Sequence, residues 1–175
     1  HLASGEPEQA TELFQRSLTV AEGIQDWQGK GQTLQNKGDL SRYRYAYQEA
    51  LSHYQAAQAV FKQIGDLGGE GTILRRMGEV HQIQTEFEQA RDLYAQALAI
   101  HQETGDLSEQ GKTINRIGEA YYHQGSYEEA LTYYQQALDI SRLEYVGDRI
   151  SEAKALQNFG RVYAVQGNYT DALDY

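Results

Sequence analysis

The chain has 175 residues, enough for one ordinary domain or one short repeat array. Acidic residues outnumber basic ones 25 to 15, and the net charge of −10 argues against a general nucleic-acid surface, since phosphate binding needs an excess of Lys and Arg along the contact. The absence of cysteine excludes disulfides, thiolate metal sites and cysteine nucleophiles, and no apolar run approaches the ~20 residues that cross a bilayer.

A single proline, with abundant Ala, Gln, Glu and Leu, favours helix almost throughout. The opening His1-Leu2-Ala3-Ser4-Gly5 has neither the basic nor the apolar part of a signal peptide. With no initiator Met, and with a pattern broken off at Asp171-Ala172-Leu173, the chain reads as an interior fragment of a longer protein, for which a cytoplasmic location is the expectation.

Self-similarity decides the fold. Gly38, Gly78, Gly118 and Gly160 follow one another at intervals of 40, 40 and 42 residues. Twelve residues after each stands an alanine (Ala50, Ala90, Ala130, Ala172), with Tyr54, Tyr94 and Tyr134 four residues beyond the first three and Ala57, Ala97 and Ala137 three further on. Residues 1–25 read as the end of one first helix and a complete second helix, with Ala10 and Phe14 in their columns. Full repeats follow at 26–65, 66–105 and 106–147, and 148–175 is a partial repeat, a first helix near 150–166 and the stub of its partner.

Each unit reads as two helices. The first, such as Gly71 to Gln84, places Leu74, Met77 and His81 on one face; the second, such as Phe87 to Thr104, places Phe87, Ala90, Tyr94, Ala97 and Leu98 there. Small and large residues alternate, so that alanines receive the aromatic rings of a neighbouring helix. Turns within hairpins are short, as at Gln124-Gly125-Ser126 and Gln166-Gly167-Asn168. Between hairpins, Gly65-Asp66, Gly105-Asp106 and Gly147-Asp148 offer a left-handed glycine to end one helix and an Asp to cap the next, with Asp106 and Glu109 at capping-box spacing. Lys37 replaces a large apolar residue, Tyr45 stands where later turns have Gly125 and Gly167, Arg91 falls where others have Leu, and the linker Ser141 to Gly147 is two residues longer; a less regular first hairpin is expected.

Ile117-Gly118-Glu119-Ala120-Tyr121 and the run Ala130 to Ala137 resemble the tetratricopeptide repeat, and the period near 40 is similar to its longer variant in Pins-type proteins, kinesin light chains and bacterial, notably cyanobacterial, arrays. The resemblance implies an all-α fold, an α-solenoid of antiparallel helix hairpins wound into a right-handed superhelix, with first helices lining the concave side. It also implies a scaffold that binds protein rather than an enzyme.

At ~100° per residue, the face opposite the core collects four sets of positions. They include Asn36, Asp39, Arg42 and Tyr43; Arg75, Arg76, Glu79 and Ile83; Lys112, Asn115, Arg116, Glu119, Tyr122 and His123; and Lys154, Asn158, Arg161 and Val165. Seven cations (Arg42, Arg75, Arg76, Lys112, Arg116, Lys154, Arg161) face three carboxylates, a stripe of +4 that leaves −14 elsewhere. Such a stripe suits an extended or helical peptide bearing carboxylates, because Arg grips them bidentately and Asn or Gln satisfies peptide backbone. Helices ~8–10 Å apart and an extended chain advancing ~3.3–3.6 Å per residue give about three ligand residues per repeat. Each charged residue alone also reads as solvated surface, and Tyr43, Tyr122 and His123 as packing.

Signals of catalysis fail. Gly105 to Thr113 imitates a phosphate-binding loop, but its spacer is one residue too long and it follows a helix. His1, His53, His81, His101 and His123 have no metal-ligand companions at useful spacing, and His81 reads as a core or interface residue. Glu128-Glu129 complements a helix N-terminus. The resulting expectation is a protein-binding groove with an acidic peptide partner, no enzyme activity, no cofactor, no metal, no nucleic acid and no membrane insertion. The alternative is a structural spacer that oligomerises a larger protein, with end-to-end self-association through apolar surface at the open ends.

Overall fold

The computed structural model describes residues 6–143 and 149–168. Among them run α1 (Glu6–Gly23), α2 (Trp27–Tyr43), α3 (Tyr47–Ile64), α4 (Leu67–Ile83), α5 (Phe87–Glu103), α6 (Leu107–Gln124), α7 (Tyr127–Ser141) and α8 (Arg149–Val165). The linker glycine and cap at Gly147 and Asp148, the column alanine Ala172, the stub of the last repeat and His1 lie outside the described residues.

Asp26, Asp66 and Asp106 each accept a hydrogen bond from the backbone N–H three residues on, at 2.8, 2.9 and 3.0 Å. First helices therefore start at Trp27, Leu67 and Leu107, four residues ahead of the expected Gly71 in the second repeat. Gly65 and Gly105 end the preceding helices with φ of 70° and 69°. The capping box is only half made. The Asp106 N–H already donates to the His101 carbonyl at 3.0 Å, and the Glu109 carboxylate turns instead to Arg75 and Lys112.

The core explains the repeating glycine. The rings of Tyr54, Tyr94 and Tyr134 are fully buried, lying against Gly38, Gly78 and Gly118 so closely that a Cβ there would sit 2.4, 2.5 and 2.6 Å from the ring Cε1. The small residue beneath each ring is thus the first-helix glycine. The alanines of the second helices are buried around it. Lys37 is half-buried and does not loosen its hairpin, since Tyr54 over Gly38 repeats the later geometry within a buried cluster that includes Leu34, Phe61, Ile73 and Val80. Arg91, in place of Leu, lays its guanidinium 4.7 Å from the centre of the Tyr121 ring and donates to Gln124.

Along the chain each helix packs on the next. In addition α2 touches α4, α4 touches α6 and α6 touches α8, whereas α3, α5 and α7 do not meet one another. First helices therefore crowd the inner, concave side of the α-solenoid, and second helices form its outer side.

Candidate functional site: the concave face

The cations expected on the concave face are there, but most are tied to carboxylates. Glu79, buried on α4, holds four arginines: Arg75 at 2.9 Å, Arg116 at 3.1 Å, Arg76 at 3.4 Å and Arg42 at 3.8 Å. Arg75 also pairs with Glu109 at 2.9 Å, Lys112 with Glu109 at 2.8 Å, and Arg116 with Glu119 at 2.7 Å. Asp39 receives Arg42 and Arg76, each at 3.7 Å, and the Tyr54 hydroxyl donates to it at 2.7 Å. Burial pushes the Glu79 carboxyl up, yet Arg116, Arg75, Arg76 and Arg42 together hold it below the usual carboxylate value. Burial opposes the charge on Arg116 as well, but Glu119 and Glu79 raise its pKa.

The network continues into α8 through asparagines. Asn158 donates to the Asn115 side-chain oxygen at 3.1 Å, Asn115 donates to Glu119 at 3.3 Å, and Arg161 donates to Asn158 at 3.1 Å while lying 4.5 Å above the Tyr122 ring. Neither Lys154 nor Arg161, both exposed, has a carboxylate partner among the described residues. Arg75, Asn115 and Asn158 are buried, so their polar groups brace neighbouring repeats before they meet any ligand. Asn36 is exposed, accepts from Gln32 at 3.3 Å, and stands apart from the other expected site residues.

Two clefts flank the Glu79–Arg116 pair. One, of about 290 Å³, is lined by Arg75, Arg76, Lys112, Asn115, Arg116 and Lys154 together with Glu79, Glu109 and Ser151. The other, of about 310 Å³, is lined by Arg42, Glu79, Gln82, Arg116, Ile83, Thr85, Phe87, Tyr94 and His123. Sequence reasoning missed Glu109, whose spacing from Asp106 marked it as a cap, and Phe87, which read as core. His81 is half-buried and turns to Glu86, with Nδ1 at 2.6 Å from the carboxylate. Among the described residues no group of three or more His, Cys, Asp or Glu is placed to hold a metal, and no helix is long and apolar enough to cross a membrane.

The fold resembles several solved structures. BtubC (BKLC) from P. vanneervenii superposes with a TM-score of 0.82 at 20% identity, over 97% of this chain and 70% of that one. The apo form of RapI gives 0.83 at 18% identity, over 97% and 61%, so this chain spans less than two thirds of it. The putative kinesin light chain of Podosopora anserina, with nearly identical TPR-like repeats, gives 0.71 at 16% identity, over 97% and 83%. No curated relative matches the chain. The tetratricopeptide repeat model matches residues 33–103 and 109–175, most of the chain. The glycine–tyrosine columns, the inner layer of first helices and this match agree: the chain belongs to the tetratricopeptide repeat family.

Proposed function

We propose that this array is a protein-interaction scaffold whose concave face holds an acidic segment of a partner protein. The observation that carries the reading is the 290 Å³ cleft, whose lining holds Arg75, Arg76, Lys112, Arg116 and Lys154 against two carboxylates, Glu79 and Glu109. Glu79 and Glu109 neutralise the inner arginines, which leaves Lys154, and beyond it Arg161, to answer a ligand carboxylate. The asparagines are held in hydrogen bonds and set the spacing between α6 and α8. Residues on the inner network stabilise the array, so charge reversal at Arg75 would test folding and binding together.

The clean test uses exposed or half-exposed cations. A fluorescein-labelled peptide rich in Glu, and its Gln counterpart, are titrated with the wild-type chain and with a Lys112→Glu/Lys154→Glu variant. Loss of at least about ten-fold in affinity for the Glu peptide, with little binding of the Gln peptide by either protein, is expected. Equal affinity of the two proteins for the Glu peptide contradicts the reading.

A second reading, that of a spacer associating with further copies, is supported by Leu13 and Val20 on α1 and Ile24 just after it, exposed around a cleft of about 590 Å³. Light scattering over a concentration series decides it. A strict monomer contradicts it.

A further inference from the structure

The first full repeat departs from its successors at one place. Lys37 stands in the column of Met77 and Ile117, Arg44 in that of Gln84 and Gln124, and His53 in that of Leu93 and Tyr133. In the second repeat these columns are packed shut, with Leu51, Met77 and Val80 buried in one cluster and Leu93 against it. In the third, Tyr121 and Tyr133 stack there with centroids 5.3 Å apart. The first repeat has the smaller Thr11 and Ser41 where the second has Leu51 and His81. A cleft of about 90 Å³ remains between α1, α2 and α3, and Thr11, Lys37, Ser41, Arg44, Glu49 and His53 line it.

The concave-face arginines are held by Glu79, Glu109 and Glu119. Here neither Lys37, half-buried, nor Arg44, exposed, has a carboxylate partner among the described residues, although the chain has 25 acidic residues to 15 basic ones. Glu49 is the only carboxylate in the lining, is 61% exposed, and lies 3.5 Å from His53 Nε2. A half-buried lysine in a packing column loses apolar contacts and part of its hydration. A sequence that breaks its own repeat three times around one cleft marks a functional place rather than a packing one. Burial, and then Lys37, depress the His53 pKa, so the amine and the ring share one field that an anion would relieve. We infer that this cleft binds a phosphate group, held by Lys37, Arg44 and His53 with the Ser41 hydroxyl as a further donor. Lys37, Ser41 and Arg44, at i, i+4 and i+7, share one face of α2 and its cap, and His53 comes from α3. Donors from two helices suit the three terminal oxygens and the charge of about −2 on a phosphate monoester better than the two oxygens and single charge of a carboxylate. One water needs ~10–15 Å³, so the cleft has room for a small polyatomic anion and not for a folded segment.

The site uses none of the concave-face cations, so each reading can fail alone. Free phosphate and a phosphorylated serine of a partner protein share this chemistry. The probes are therefore inorganic phosphate and N-acetyl-O-phosphoserine amide, titrated at neutral pH against matched chloride while the amide NMR shifts of Ser41 and Arg44 are followed. Saturable binding with a Kd of about 1 mM or below is expected for at least one probe. Tighter binding of the phosphoserine derivative assigns the site to a phosphorylated protein; otherwise it belongs to the free anion. Lys37→Met/Arg44→Gln/His53→Leu, which copies the second repeat, is expected to bind at least about ten-fold more weakly and to melt no lower than wild type. Arg44→Gln alone, at an exposed position, is expected to weaken binding about three-fold or more. Lys112→Glu/Lys154→Glu is expected to stay within about two-fold of wild type. The inference is overturned if neither probe saturates by ~10 mM, or if Arg44→Gln binds like wild type. It is equally overturned if the groove variant loses the binding instead, or if acetate competes as well as phosphate.

Discussion

Arg116 on α6 donates from Nε to the Glu79 carboxylate on α4 at 3.1 Å, across 37 residues of sequence, and the two stand between the clefts of the concave face. Glu79 is buried and gathers four arginines, of which Arg75 is itself buried, so removing its charge leaves them crowded together with only Asp39, Glu109 and Glu119 to offset them. Glu79→Gln is expected to destabilise the array by about 3 kcal/mol in urea melts at neutral pH, the scale for breaking a buried pair. A loss near zero would show that the arginines find other partners.

The same carboxylate sets an acid limit. Its folded pKa lies below the ordinary 4.5, so its contribution is complete above that value and is lost as pH falls through the lower folded one. His101 acts on a higher range. Its ring is fully buried against Gly71, neither nitrogen has a partner, and the equivalent place in the preceding repeat is filled by Phe61 against Gly31. Burial depresses its pKa, with Arg75 and Lys112 adding to the depression and Glu109 and Asp106 opposing it. Below 6.5 the unfolded chain takes up a proton that the folded chain refuses, so stability falls as pH drops from there toward the folded value. His101→Phe is expected to raise stability by about 1 kcal/mol at neutral pH and to flatten the slope below pH 6.5 in paired melts. An unchanged slope would place the titration elsewhere.

Gly78 tests the core. A Cβ there meets the Tyr94 ring at 2.5 Å, and that ring is enclosed, with its hydroxyl donating to Gln82 at 2.8 Å. Gly78→Ala is therefore expected to cost about 1–3 kcal/mol despite the better helix propensity of alanine. Gly23→Ala, where nothing lies within 4 Å, should be neutral or stabilising in the same thermal melt. Equal shifts for the two would refute the ring-on-glycine account.

Tyr45→Gly tests the strain in the first hairpin turn. Relief of the left-handed backbone is expected to hold or raise stability in thermal melts, by up to about 1 kcal/mol. A clear drop in stability would mean that the Tyr45–Tyr47 contact outweighs the strain.

The hairpins were legible in the sequence because glycine, alanine and tyrosine recur in fixed columns, each with one steric job. Asp66 and Asp106 announced the helix starts by their place after a glycine. The site was legible only as a set of positions. Column arithmetic put Arg75 and Lys154 on one face, but it carried no reach. The Glu109 side chain, counted as a cap, crosses to Arg75, and Asn115 and Asn158 turn to each other. Long side chains pair across helices over distances that periodicity within one helix does not encode, so the basic stripe emerged as a largely compensated network. Its free cations lie toward α8.

The most direct measurement locates the acidic segment itself. A Glu-rich peptide carrying a photoreactive group is cross-linked to the chain and the adducts are mapped by mass spectrometry. The account predicts adducts on α4, α6 and α8 around Lys112, Ser151 and Lys154, suppressed by salt as a charge-steered contact must be. Adducts confined to the outer helices α5 and α7, or indifferent to salt, would contradict it.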